Sequence, residues 1–154
     1  MPEQTVLHGT CVAIGEAGVL IMGPPGAGKS DLALRLIDQP GSGLSGELRA
    51  ARLVADDQVV IRLEGGGLCA SAPPALTGRI EVRGLGIAAV AALASVRLAL
   101  AVRIAASSTI ERLPEFGKSR FEVLGVSLPL ALIDAGKASA PARLRAALDW
   151  LGVA

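Results

Sequence analysis

Met22-Gly23-Pro24-Pro25-Gly26-Ala27-Gly28-Lys29-Ser30-Asp31 fits the phosphate-loop pattern G-x-x-x-x-G-K-[ST] at Gly23, Gly28, Lys29 and Ser30. Glycines let consecutive backbone N–H groups turn inward as an anion-binding nest that side chains bearing a Cβ would obstruct. Such a loop needs a buried strand before it and a helix after it, so that a helix N-terminus stands behind the phosphate. The flanks meet that demand: Gly18-Val19-Leu20-Ile21-Met22 is an apolar run of strand type, and residues 31–38 carry apolar side chains at helical spacing. Residues 23–30, including Pro24, Pro25, Gly26 and Ala27, therefore form the candidate nucleotide-binding segment, with Lys29 as the phosphate charge and the Ser30 hydroxyl as a cation ligand. A second Gly117-Lys118-Ser119 lacks the glycine five positions earlier, where Arg112 stands, and has no cradle.

The remaining composition narrows the class. A chain of 154 residues suits one domain with a single core, here read as spanning 1–154. A net charge of +1, two Phe and one Trp give neither a basic patch nor stacking platforms, which argues against nucleic acid. Cys11 and Cys69 lie far apart without metal-ligand spacing, and Met1-Pro2-Glu3-Gln4 does not start a signal peptide, so the expectation is a reduced, cytoplasmic protein. The apolar stretch 84–106 contains Arg97 and Arg103, each costing about 2.5–3.5 kcal/mol at a bilayer centre, and is read as a buried strand with its approach loop, with no membrane span.

In chain order, residues 5–14 read as a first strand that turns at 15–18 into the strand feeding the phosphate loop. This strand carries His8, the only histidine. Residues 40–47 are glycine- and serine-rich and read as a flexible surface connection. Residues 52–62 form an apolar run interrupted by Asp56 and Asp57, carboxylates of the kind a nucleotide site needs for a cation and a base. Adjacent side chains on a regular strand point to opposite faces, so both can face one phosphate only if the strand ends there. In Arg79-Ile80-Glu81-Val82-Arg83-Gly84-Leu85-Gly86-Ile87 the same alternation puts Glu81 and Arg83 on one face and Ile80 and Val82 on the other. Strand character over 96–104, a polar loop over 107–120, an apolar segment over 121–133 and an amphipathic helix from Ser139 to Gly152 complete the pattern.

Three segments together, His8-Gly9, the phosphate loop with Leu53-Val54-Ala55-Asp56-Asp57, and Glu81-Val82-Arg83-Gly84-Leu85-Gly86-Ile87, resemble the catalytic domain of the HPr kinase/phosphorylase family. That family is bacterial, bifunctional and acts on a serine of the phosphocarrier protein HPr. The resemblance implies an α/β fold, a phosphoenolpyruvate-carboxykinase-like variant of the P-loop core with a mixed sheet and few helices. It implies ATP and Mg²⁺ as cofactors, an HPr-like protein as partner and a hexameric assembly. Lys29 would hold the β- and γ-phosphates, Ser30 and Glu81 the cation with Asp56 as secondary ligand or tuner, and Asp57 would be the catalytic base. His8 and Arg83 match active-site residues of the family, and Arg112 matches a further arginine on a flexible loop. Only seven residues precede His8, which resembles a short form without the N-terminal regulatory domain. The C-terminal segment tied to phosphorolysis is represented by Ile133-Asp134-Ala135-Gly136-Lys137. The competing readings are a small-molecule P-loop kinase and a non-catalytic ATP sensor.

Overall fold

The computed structural model describes residues 3–152; Met1 and Pro2, part of the N-terminus read as lacking a leader, lie outside them. Eleven strands and two α-helices form a mixed α/β fold. In chain order these are β1 (Gln4–His8), β2 (Thr10–Ile14), β3 (Ala17–Met22), α1 (Lys29–Asp38), β4 (Ala51–Ala55), β5 (Gln58–Glu64), β6 (Gly67–Ser71), β7 (Arg79–Val82), β8 (Gly86–Ala89), β9 (Ser95–Ile104), β10 (Arg120–Val123), β11 (Val126–Ile133) and α2 (Ala140–Trp150). Nine strands make one sheet, seven of them in the order β1-β5-β6-β9-β3-β2-β4 with β11 paired to β9 and β10 to β11, and β7 and β8 form a separate two-stranded sheet. Strand β9 runs parallel to β3 along one edge; its other edge is shared, antiparallel to β6 through residues 95–97 and parallel to β11 through residues 101–104.

Strand β2 is buried at every position, β3 is buried from Ala17 to Ile21, and their sequences show no polar alternation. The reason is that both sheet faces are covered. On one face Val12, Ile14, Val19, Ile21, Leu100 and Val102 meet Leu32 and Leu36 of α1 and Leu144 and Leu148 of α2. On the other, Cys11, Ala13, Leu20 and Ala101 meet Val59, Ile61, Leu68 and Ala70, because the β5–β6 arm curls back over the sheet. Cys11 is fully buried, and burial pushes its thiol far above the ordinary range, so it is an inert core residue. No helix among the described residues is long and apolar enough to cross a membrane; the stretch 84–106 forms β8, an irregular connection and β9.

The structure changes the sequence reading in two places. The first strand is two strands: β1 pairs with β5, β2 pairs with β3, and Gly9 stands between. A Cβ at Gly9 would lie 2.8 Å from the Ile21 carbonyl oxygen, so only glycine allows this close crossing. The 40–47 connection is pinned. Asp149 of α2 accepts from the Leu44 amide at 2.7 Å and pairs with Arg49 at 2.6 Å. Buried Arg145 donates to the carbonyls of Leu36, Gln39 and Arg49; desolvation holds its guanidinium below its ordinary pKa.

Gly18 marks the tightest strand contact. The β3–β9 register shifts between Gly18 and Val19, and a Cβ at Gly18 would sit 2.6 Å from the Arg97 carbonyl oxygen and 2.7 Å from Val96 Cγ1. Gly18→Ala should therefore cost about 1–3 kcal/mol. A thermal melt should show the midpoint lowered by roughly 2–12 °C for a domain of this size; an unchanged midpoint would mean that the strand pair yields freely.

Candidate active site

The phosphate loop lies between β3 and α1, in the order strand, glycine loop, helix. Gly26 and Gly28 have φ values of +80° and +100°, which residues with a side chain rarely adopt. The ammonium of Lys29, 8% exposed, donates to the carbonyl oxygens of Gly23 (2.8 Å) and Pro24 (3.0 Å). An ammonium has three protons, so these bonds orient Lys29 and leave one proton for an anion in the loop.

Asp56 is the hub of the site. It is 5% exposed; its Oδ1 accepts from Thr10 Oγ1 (2.9 Å) and Ser30 Oγ (2.7 Å), and its Oδ2 from the Glu81 amide (3.0 Å). One carboxylate thereby joins β2, α1 and the β7–β8 hairpin to the end of β4. The donor set fits a small divalent cation. Because Ser30 donates its proton to Asp56, its oxygen presents lone pairs to the cleft, where the Glu81 carboxylate also lies. No group of three or more His, Cys, Asp or Glu side chains poised to hold a metal occurs among the described residues. Mg²⁺ takes one or two carboxylates and completes its shell with water and substrate phosphates.

Strand β4 ends at Ala55, which removes the alternation that would separate the two aspartates. The chain then reverses within three residues: Asp57 has φ +71°, and the Gln58 amide donates to the Asp56 carbonyl at 2.9 Å. This is a γ-turn of the positive-φ hand, which is rare and strained. The Gly9 amide holds it by donating to the Asp57 carbonyl at 3.1 Å. Its consequence is that Asp57 reaches the same cleft as Asp56, with Oδ1 3.6 Å from His8 Nε2.

The cleft has a volume of about 830 Å³. It brings together His8, the loop from Pro25 to Ser30, Asp56, Asp57, Glu81 and Arg83. Gly23 and Pro24 contribute through their carbonyls to Lys29. Arg112 is exposed in the 107–120 connection, off the cleft wall. Two further contributors, Thr10 and Arg79, were not singled out from the sequence, and the Ala135–Gly136 part of the segment matched to phosphorolysis also lines the cleft. Arg79 did carry a signal, since it shares strand parity with Glu81 and Arg83. Among the described residues neither Arg79 nor Arg83 has a hydrogen-bond or ion-pair partner, so two guanidiniums stand free on the wall that carries Glu81. Beyond Ala135, the Ser107 hydroxyl and the amides of Gly136 and Ser107 donate to Asp134 and hold its carboxyl below the usual carboxylate range.

Residues 1–142 match the family model of the HPr serine kinase C-terminal domain. The chain belongs to that family. Among curated relatives, HPr kinase/phosphorylase of Clostridium tetani is 44% identical over 87 residues, 56% of this chain and 25% of that protein. HPr kinase/phosphorylase 1 of Oceanobacillus iheyensis is 45% identical over 84 residues, 54% of this chain and 24% of the relative. The matched region spans about a quarter of the length of these relatives. The structure of the HPr(Ser) kinase/phosphatase from Coxiella burnetii superposes with a TM-score of 0.78 over 96% of both chains at 24% identity. That likeness shows that this HPr serine kinase C-terminal domain has the fold of its family, a curled mixed sheet with two α-helices.

Proposed function

We propose that the chain is an ATP-dependent protein serine kinase whose acceptor is the phosphocarrier protein HPr or a close paralogue. The observation that carries this reading is the meeting, in one cleft, of an oriented phosphate-loop lysine with the Asp57–His8 pair on a strained turn. The first is a phosphate cradle and the second a half-exposed base that an acceptor protein can reach.

The acceptor serine hydroxyl lies beside Asp57, whose carboxylate takes its proton as the serine oxygen bonds to the γ-phosphorus. The bond from the γ-phosphorus to the β,γ-bridging oxygen breaks, and ADP leaves with the electron pair. His8 orients the Asp57 carboxylate. Lys29, the loop amides and the free guanidiniums of Arg79 and Arg83 stabilise charge on the transferring group. Ser30 and Glu81 would hold Mg²⁺, with Asp56 fixing Ser30, and the ion would neutralise phosphate charge. Run in reverse, inorganic phosphate attacks phosphoserine, the serine oxygen leaves with a proton from Asp57, and pyrophosphate forms. The family membership and the names of the relatives support the HPr assignment.

The test is transfer of label from [γ-³²P]ATP to purified HPr with its acceptor serine intact or replaced by alanine. Labelling of the intact protein alone is the expected result, with loss of the label as pyrophosphate when inorganic phosphate is added. An unlabelled HPr alongside tight ATP binding would overturn the kinase assignment for that partner.

A further inference from the structure

Helix α1 presents Lys29 and Ser30 to the cleft in its first turn and turns Arg35 towards a segment a hundred residues later. Arg35 Nη2 donates to the Ala135 carbonyl at 2.5 Å and Nη1 to the Lys137 carbonyl at 3.3 Å, while Nε lies 3.0 Å from Asp31 Oδ2. A planar guanidinium can span two carbonyls while a third nitrogen faces a carboxylate; an ammonium has no such fork. The loop held in this way forms part of the cleft, since Ala135 and Gly136 line it and a Cβ placed on Gly28 would meet Ala135 Cβ at 3.5 Å. At its other end Asp134 binds Ser107 and the Gly136 amide. Of these anchors, Arg35 is the one that ties the loop to the helix carrying Lys29 and Ser30.

We infer that Arg35 is a positioning residue that clamps the 134–137 loop against the phosphate loop and so sets the width of the space in which a nucleotide's phosphate chain lies. The inference rests on the kinase reading above. Asp31, itself on the cleft wall, stands beside the guanidinium as an ion pair, without a hydrogen bond to Nε. Without the clamp, the loop is left with its Asp134 anchor alone, opens more often and loses its fixed distance from Gly28, and the phosphates lose one wall.

The experiment compares the wild type with Arg35→Ala, Arg35→Gln and Arg35→Lys. It measures ATP and pyrophosphate binding calorimetrically in Mg²⁺ buffer, KM and kcat for ATP, and backbone hydrogen exchange. Arg35→Ala should weaken both ligands and raise KM about tenfold or more, with kcat at saturation within about twofold, and Arg35→Lys should restore part of the affinity. Exchange should quicken at Gly136 and Lys137, whose amides donate to Asp134. If the alanine variant does not fold, the glutamine and lysine variants carry the comparison. Unchanged affinity in a folded variant, or a loss confined to kcat, would overturn the clamp. A wild type that binds neither ligand would instead defeat the kinase reading, while exchange at Gly136 and Lys137 would still report on whether Arg35 holds the loop.

Discussion

Replacing Asp57 by Asn should abolish phosphoryl transfer to HPr while leaving the protein folded and able to bind ATP. The substitution keeps the size and the tolerance for positive φ, and removes the charge that accepts the serine proton in the proposed reaction. A loss of about 10²–10⁴ in kcat is the expectation for a general base, with KM for ATP little changed, because Lys29 and the loop glycines are untouched. Asp57→Gly should be equally inactive yet more stable, since the positive φ of +71° costs a residue with a Cβ about 1 kcal/mol that glycine does not incur. Single-turnover transfer and thermal melts on the two variants check both statements. An Asp57→Asn enzyme with near-normal kcat would remove Asp57 from proton transfer.

Asp56→Ala should act on the opposite quantity. Its buried carboxylate accepts three hydrogen bonds, and truncation leaves the Thr10 hydroxyl, the Ser30 hydroxyl and the Glu81 amide without their acceptor. Thr10 is completely buried, so water cannot fully replace the lost partner. Bonds to a charged acceptor contribute roughly 1.5–3 kcal/mol each and are not additive, so a loss of about 3 kcal/mol or more is expected. At roughly 2–4 °C per kcal/mol for this size, the midpoint should fall by at least about 6 °C. ATP binding should fail as well, because Ser30 and the β7–β8 hairpin lose the bonds that aim them. A variant that melts like the wild type would show that Asp56 does not hold the site together.

The contrast between the adjacent aspartates explains what could be read in advance. Strand, phosphate loop and α1 were legible because their signals are local: glycine placement, an apolar run, helical spacing. The β2–β3 hairpin and the span of α2 were legible for the same reason. The condition that the strand must end for both Asp56 and Asp57 to face the cleft was legible too; β4 does end at Ala55, and both residues line the cleft.

What stayed hidden depends on distant partners. The break at Gly9 is set by the Ile21 carbonyl, which its own neighbours do not reveal. The 40–47 segment has the composition of a flexible loop, and its order comes from Arg145 and Asp149 about a hundred residues later. Thr10 gave no signal at all, because a threonine beginning an apolar strand is ordinary until Asp56 meets it. Arg79 could have been found by extending the Glu81–Arg83 alternation one step back. Arg112 was matched from a short local similarity, and it is not among the residues that line the cleft.

The position of β9 in the chain also matters during synthesis on the ribosome. Among the described residues β9 is the only strand that joins β3 to β6 and β11, and it begins at Ser95, after the phosphate loop, both aspartates and the β7–β8 hairpin have been made. A nascent chain that stops short of it holds nearly every site residue but no strand on which β3 can lay its parallel edge, and parallel pairing across such separations forms slowly. The edge of β3 that β9 covers is then left open, and the phosphate loop that follows β3 lacks that support. The phosphate loop is therefore expected to gain its rigid support late, once β9 has been made and can join β3 to β6 and β11.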